Sequence, residues 1–181
     1  MAADTLAQIT RALEALVGLP YDGEPVDQLQ HALQCADLAR RDGADPELVL
    51  AALLHDVARS PDVASEPADS ASIDHGEQGA RWLAPLLGER VARLAGDHVE
   101  AKRYLVAVEP EYAESLSAVS ARTLRAQGGA MTADEVAAFE CRADWRDAVR
   151  LRRWDDAAKD PLAVVPGVDA YVVDVRAALR A

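Results

Sequence analysis

The residues best suited to do chemistry are four histidines and two aspartates spread along the chain. Two of them, His55 and Asp56, stand side by side at the end of an apolar helical run, residues 48–54. Adjacent positions on a helix point about 100° apart, because one turn holds 3.6 residues. The two side chains are therefore suited to straddle a pair of metal ions, with the carboxylate of Asp56 bridging them.

Three more histidines and a late aspartate complete the set, and we interpret the six side chains as one metal site. Imidazole and carboxylate groups suit iron, manganese, zinc or cobalt, and ligand type alone does not select among these metals. Any one histidine, taken alone, is more often an ordinary core or surface residue than a ligand. The complete set supports a metal site because each histidine lies in an apolar helical context or at a helix start. The predicted ligands are His31, His55, Asp56, His75, His98 and Asp155.

Three cationic side chains stand three or four residues from predicted ligands, and side chains at these spacings share one face of a helix. The net charge of the chain is −12, so a group of cations stands out. The pattern predicts an anion-binding corner beside the metals, since both Arg and Lys bind phosphate-like oxygens. The alternative is that they are ordinary surface ion-pair partners. The pairs are Lys102 with His98, Arg59 with His55, and Arg152 with Asp155.

Hydrophobic periodicity predicts an all-α fold, with helix-like patterns throughout and no alternating run that argues for a sheet. The one long polar segment, residues 60–74, is broken by Pro61 and Pro67 and joins two predicted ligands, so we expect it to border the site. Helices are predicted over 5–17, 27–42, 45–56, 75–87, 89–108, 112–126, from 132, over 144–158 and over 168–179.

Length and composition predict one domain over residues 1–181, with a core supplied by Ala, Leu and Val. The sequence has no run of 18 apolar residues that could span a membrane. We expect no signal peptide, because residues 1–5 lack a basic start followed by an apolar stretch. The strongly acidic surface argues against nucleic-acid binding. Cys35 and Cys141 fit no CxxC pattern, and we expect reduced, buried thiols in a cytoplasmic protein. The oligomeric state is left open.

The order of the six predicted ligands resembles the HD-domain superfamily in its two-metal form. Further segments are similar to the HD-domain mixed-valent di-iron oxygenases, which cleave the carbon–phosphorus bond of 2-amino-1-hydroxyethylphosphonate or its N-methylated relatives. The resemblance covers about residues 21–159, and its most specific parts surround His98 and Asp155. The segments that carry it are residues 21–24, 98–105, 116–124, 127–131 and 151–156.

This resemblance implies an HD-domain helical bundle with a dinuclear site in its core. Two iron ions, Fe(II) and Fe(III), would be held by the six predicted ligands with Asp56 bridging, and O2 would be the co-substrate. Tyr21 would occupy the open iron position until substrate displaces it. Glu24 would meet the amino or trimethylammonio group of a hydroxylated alkylphosphonate, which would be converted to phosphate and a carboxylic acid. The phosphonate would be held by Lys102, Ser120 and Arg152.

One position departs from the pattern of these oxygenases. They usually read His-Asp-Ile-Gly-His, whereas this chain reads His55-Asp56-Val57-Ala58-Arg59. A substrate-contacting histidine is thus replaced by Arg59, which either favours a more anionic substrate or turns to solvent.

Two other functions remain open on the same residues. A metal-dependent HD phosphohydrolase would use the same ligands and anion corner, with a metal-bound hydroxide attacking a phosphate ester or nucleotide. A non-catalytic helical module would bind a metal or ligand and act by association.

Overall fold

A computed structural model describes residues 2–21, 23–64 and 75–179, and eleven α-helices account for most of them. The prediction of an all-α fold is confirmed. Within these ranges the only β pairing is an isolated antiparallel bridge between Pro20 and Asp27. The helices are α1 Ala2–Glu14, α2 Gln28–Arg41, α3 Pro46–Leu54, α4 His75–Leu87, α5 Glu89–Gly96, α6 His98–Val108, α7 Pro110–Ser115, α8 Ala118–Ala126, α9 Ala133–Glu140, α10 Trp145–Ala157 and α11 Val172–Ala178.

Helix starts follow the capping residues in the sequence. The side chain of Asp27 accepts a hydrogen bond from the Gln30 amide at the start of α2, and Asp45 caps α3 in the same way. Thr132 and Glu135 form a capping box at the start of α9. These caps satisfy backbone N–H groups that a helix start leaves without a partner.

Several predicted helices are divided in the structure. The helix predicted over 89–108 is two helices, α5 and α6, which meet at Asp97. The helix predicted over 112–126 is also two, because Ser117 caps a new helix, α8, through its contact with the Ser120 amide. The apolar pattern continues across both breaks, so periodicity alone could not reveal them. Other ends differ slightly: α1 stops at Glu14, and a 3-10 turn, Val168–Tyr171, precedes α11.

The core is organised around α3, in which every residue from Leu48 to Leu54 is buried. A helix that is apolar on all sides must be surrounded by other elements. Helices α2, α5, α10 and α11 all pack against it. The carboxyl end of this helix therefore delivers His55 into the interior of the molecule.

Helices α4 and α5 cross at two glycines. A Cβ added to Gly76 would lie 2.8 Å from the carbonyl oxygen of Gly96, which is closer than real Cβ contacts allow. Only glycine permits this approach of two backbones. The crossing brings His75, the first residue of α4, close to the end of α5, two residues before His98.

Two other expectations can be compared with the described residues, and a third falls largely outside them. Cys35 is a buried free thiol as expected, but the expectation was wrong for Cys141, which is free and exposed at the end of α9. Residues 65–74 of the predicted loop lie outside the described part of the chain. Across residues 2–21, 23–64 and 75–179, no helix has the length and apolar character to cross a membrane.

Candidate metal centre

The four histidines meet in the interior as two pairs. His31 and His55 face each other with their Nε2 atoms 3.1 Å apart, and His75 and His98 do so at 3.0 Å. All four side chains are buried. Four imidazoles from four separate parts of the chain thus converge on one small volume.

Backbone carbonyls fix the orientation of three of these rings. Each Nδ1 lies within hydrogen-bond distance of a carbonyl oxygen, so the proton belongs on Nδ1 and the Nε2 lone pair points into the cluster. Two lone pairs about 3 Å apart repel each other unless a cation lies between them. This arrangement fits a metal centre. The contacts are His31 with Ala158 at 2.9 Å, His55 with Ala52 at 2.8 Å and His98 with Ala95 at 2.6 Å.

Asp56 lies between the two histidine pairs. Its Oδ2 is 3.7 Å from Nε2 of His55, while its Oδ1 is 3.4 Å from Nε2 of His75 and 3.8 Å from that of His98. Oδ1 is buried and accepts no hydrogen bond from the described residues. Burial raises the pKa of Asp56, but the imidazoles of His55 and His75 outweigh it and hold this pKa well below its usual value. An ionised, unsatisfied carboxylate fits a bridge between two cations.

Asp155 joins only one of the pairs. Its Oδ1 is 3.3 Å from Nε2 of His31 and 3.8 Å from Nε2 of His55. The first group therefore offers four histidine and aspartate donors, counting Asp56, and Sγ of Cys35 lies 3.8 Å from Nε2 of His31. The second group offers His75, His98 and Asp56. A metal in the second group would keep open positions, which is the arrangement of catalytic rather than structural sites.

The local backbone explains how adjacent residues can serve both groups. The sequence predicted a helix through Asp56, and that prediction was wrong, since α3 ends at Leu54 and a 3-10 turn follows over Val57–Arg59. The ring of His55 contacts the Ala52 carbonyl oxygen, which a continuing helix would need for its own ladder. The chain turns at Asp56 and aims the two side chains at one cluster.

A cavity of about 50 Å³ opens beside the second group. His75 and His98 line this cavity, whereas His31 and His55 are not among its lining residues. Its walls also contain every side chain that the sequence predicted to act around the metals. These are Tyr21, Glu24, Arg59, Lys102, Ser120 and Arg152.

Lys102 is the cation in this cavity most ready to receive an anion. The residue is 4% exposed, and its Nζ donates to Oγ1 of Thr123 at 2.9 Å. It forms no ion pair with any residue that the structure describes. Burial, with a smaller contribution from Arg152, lowers the pKa of Lys102 to about 8. A bound anion would reverse this penalty.

Arg152 reaches the same cavity but is engaged by its own helix. Nη1 donates to Oδ2 of Asp155 at 2.6 Å, and Nε lies 3.0 Å from the Tyr112 hydroxyl and 3.1 Å from Oδ2 of Asp156. Burial opposes the charge of Arg152, but Asp155 and Asp156 keep its pKa well above the usual value. The sequence analysis missed Tyr112 and Asp156, although the spacing of Asp156 four residues after Arg152 could have indicated it.

Tyr21 and Glu24 occupy the cavity wall next to the first group. The Tyr21 hydroxyl donates to Oδ1 of Asp155 at 3.1 Å, and its ring stacks on His31 at 3.9 Å. Burial and the charge of Asp155 raise the pKa of Tyr21 well above its usual value, so the phenol stays protonated. Glu24 Oε1 lies 3.2 Å from Nζ of Lys159, a residue to which sequence reasoning assigned no role.

Comparison with known families identifies the family of this chain. Residues 29–148, which include five of the six predicted ligands, match the family model described as HD domain. The chain belongs to the HD-domain family. It is 41% identical over 166 residues to a hydroxymethylphosphonate dioxygenase of Gimesia maris, an alignment that covers 90% of this chain and 83% of that protein.

A second relative is named for a different substrate. The chain is 38% identical over 141 residues to a [1-hydroxy-2-(trimethylamino)ethyl]phosphonate dioxygenase (glycine-betaine-forming) of Leisingera caerulea, covering 77% of this chain and 72% of that protein. The resemblance to HD-domain phosphonate oxygenases, and with it the expectation of an enzyme, is confirmed by these relatives.

Proposed function

We propose that this HD-domain protein is a dioxygenase that cleaves the carbon–phosphorus bond of a 1-hydroxyalkylphosphonate. The observation that carries the proposal is Lys102, a buried cation without a carboxylate partner among the described residues, beside the metal group with open positions. In the reaction one O2 is consumed. The hydroxyl-bearing carbon becomes a carboxylic acid, and phosphate leaves.

We propose iron as the metal, with one ion in each histidine group and the pair in the mixed-valent Fe(II)/Fe(III) state. His31, His55 and Asp155 would hold the first ion and His75 and His98 the second, with Asp56 shared. When bound, such a pair would supply the dioxygen activation that oxidation of the carbon requires.

The chain's own residues orient the substrate and the ligands. The ammonium of Lys102 receives a phosphonate oxygen, and Thr123 fixes the direction of that ammonium. Arg152 and Tyr21 both donate to Asp155 and so hold this carboxylate in place. The small volume of the cavity limits the number of water molecules around the reacting carbon.

The substituent on the carbon chain distinguishes the candidate substrates. The sequence predicted an amino or trimethylammonio group held by Glu24. The two relatives differ in this substituent, since only one of the substrates in their names has a quaternary ammonium group. We propose the class of 1-hydroxyalkylphosphonates for the site, including the member that has no substituent.

Oxygen uptake and phosphate release, measured together on iron-loaded protein, test the proposal. With hydroxymethylphosphonate or its trimethylammonio-ethyl counterpart, we expect one O2 consumed per phosphate released and no phosphate without oxygen. Phosphate release at an undiminished rate under anaerobic conditions would refute the oxygenase. Oxygen-independent hydrolysis of phosphate esters or nucleotides would instead identify an HD phosphohydrolase.

A further inference from the structure

The wall of the cavity contains an ion pair between two residues of the chain, Glu24 and Lys159. Lys159 follows α10, and its amide donates to the Ala157 carbonyl at 3.0 Å. The preceding residue, Ala158, contacts the ring of His31 through its carbonyl. Lys159 is thereby tied to the metal centre, and its Nζ lies 3.2 Å from Oε1 of Glu24. Both side chains are 17% exposed.

Two kinds of group in this cavity could recognise an organic cation: a carboxylate and an aromatic face. Lys159 takes both. Its ammonium pairs with Glu24 and lies 5.9 Å from the centroid of the Tyr21 ring, whose stacking partner is His31. The other carboxylates in the cavity wall, Asp56 and Asp155, face the histidine pairs.

We propose that Lys159 is a specificity-determining residue that fills the cation subsite formed by Glu24 and Tyr21. The enzyme therefore favours hydroxyphosphonates without a positive charge, such as hydroxymethylphosphonate, over those that carry an ammonium group. This inference rests on the proposed function. A substrate ammonium can reach Glu24 only by displacing Lys159, and otherwise it meets a like charge in a partly buried site.

A comparison of two substrates across four proteins tests this assignment. The proteins are the wild type, Lys159→Met, Lys159→Arg and the double variant Glu24→Gln with Lys159→Met. Each is loaded with iron and assayed with hydroxymethylphosphonate and with [1-hydroxy-2-(trimethylamino)ethyl]phosphonate. The measured quantity is the ratio of the two kcat/KM values. Dissociation constants for both compounds, measured by calorimetry without oxygen, give a second readout that needs no turnover.

The wild type is expected to prefer hydroxymethylphosphonate. Lys159→Met should shift the ratio toward the trimethylammonio substrate by about tenfold or more, in kcat/KM and in affinity, because Glu24 is released. Lys159→Arg retains the charge and should retain the preference. In the double variant the shift should disappear, because no carboxylate remains to receive the cation.

Several results would overturn the assignment. A wild type that prefers the trimethylammonio substrate would show that Lys159 does not select between the two substrates. So would a Lys159→Met variant in which kcat/KM changes equally for both substrates. Neither result would contradict the proposed dioxygenase activity. A wild type that oxidises neither compound would remove the proposed function and the specificity assignment together.

Discussion

At the scale of single residues, Lys102 illustrates a conflict between folding and binding. A depression of its pKa from the usual value near 10.5 to about 8 corresponds to a folding penalty of about 3 kcal/mol at neutral pH. The unfolded chain binds more protons than the folded chain between these two values. The penalty is therefore complete below pH 8 and decreases as the pH rises toward 10.5. The folded protein is therefore less stable because it keeps a charged Lys102 in the cavity.

Replacement of Lys102 by an uncharged residue should increase stability and weaken anion binding. We expect Lys102→Met to raise the free energy of unfolding of the metal-free protein by about 1–3 kcal/mol at pH 7. At pH 9.5 the increase in the free energy of unfolding should be smaller. The variant should also lose phosphonate binding. Urea denaturation at the two pH values and calorimetry with hydroxymethylphosphonate measure both effects. A destabilised variant, or one that binds the phosphonate with unchanged affinity, would contradict this role.

Residue types and their order were enough to predict the members of the cluster, because histidine and aspartate have few other reasons to accumulate in apolar helices. The structure brings all six together. The role of Lys159 could not be predicted in this way. It lies beyond the end of a helix, and only the folded contact between Ala158 and His31 places it beside Glu24.

At the scale of the helices, the crossing of α4 and α5 sets the distance between two predicted ligands. Gly76 follows His75 directly, and Gly96 precedes His98 by two residues. The close approach of these glycines therefore positions the second histidine pair. Sequence patterns predicted α4 with the same bounds but not the break at Asp97, because the apolar repeat of α5 continues into α6.

A methyl group at this crossing should separate the helices. We expect Gly76→Ala to lower the free energy of unfolding by about 1–3 kcal/mol and to weaken binding at the second metal position by about tenfold or more. Gly79→Ala is a matched control on the same helix, since its Cβ would meet Val57 at 3.6 Å, an ordinary contact. Thermal unfolding and metal titration measure both variants. Equal effects of the two substitutions would contradict the importance of the crossing.

At the scale of the whole molecule, the cluster ties distant parts of the chain to one another. Its side chains come from α2, the turn after α3, α4, α6 and α10, and of these helices α2 and α10 pack against the buried helix α3. Metal binding must therefore stabilise the complete fold, since no single helix carries a whole ligand group. The net charge of the chain is −12, whereas Arg59, Lys102 and Arg152 line the cavity. These three cations favour binding of an anion there.

The number of irons bound per chain tests the central claim most directly. It is measured on protein reconstituted with Fe(II) without oxygen, for the wild type and for His75→Ala. Two groups that share Asp56 predict two irons in the wild type and one in the variant, held by His31, His55 and Asp155. A single iron in the wild type, or two irons retained in His75→Ala, would contradict the account.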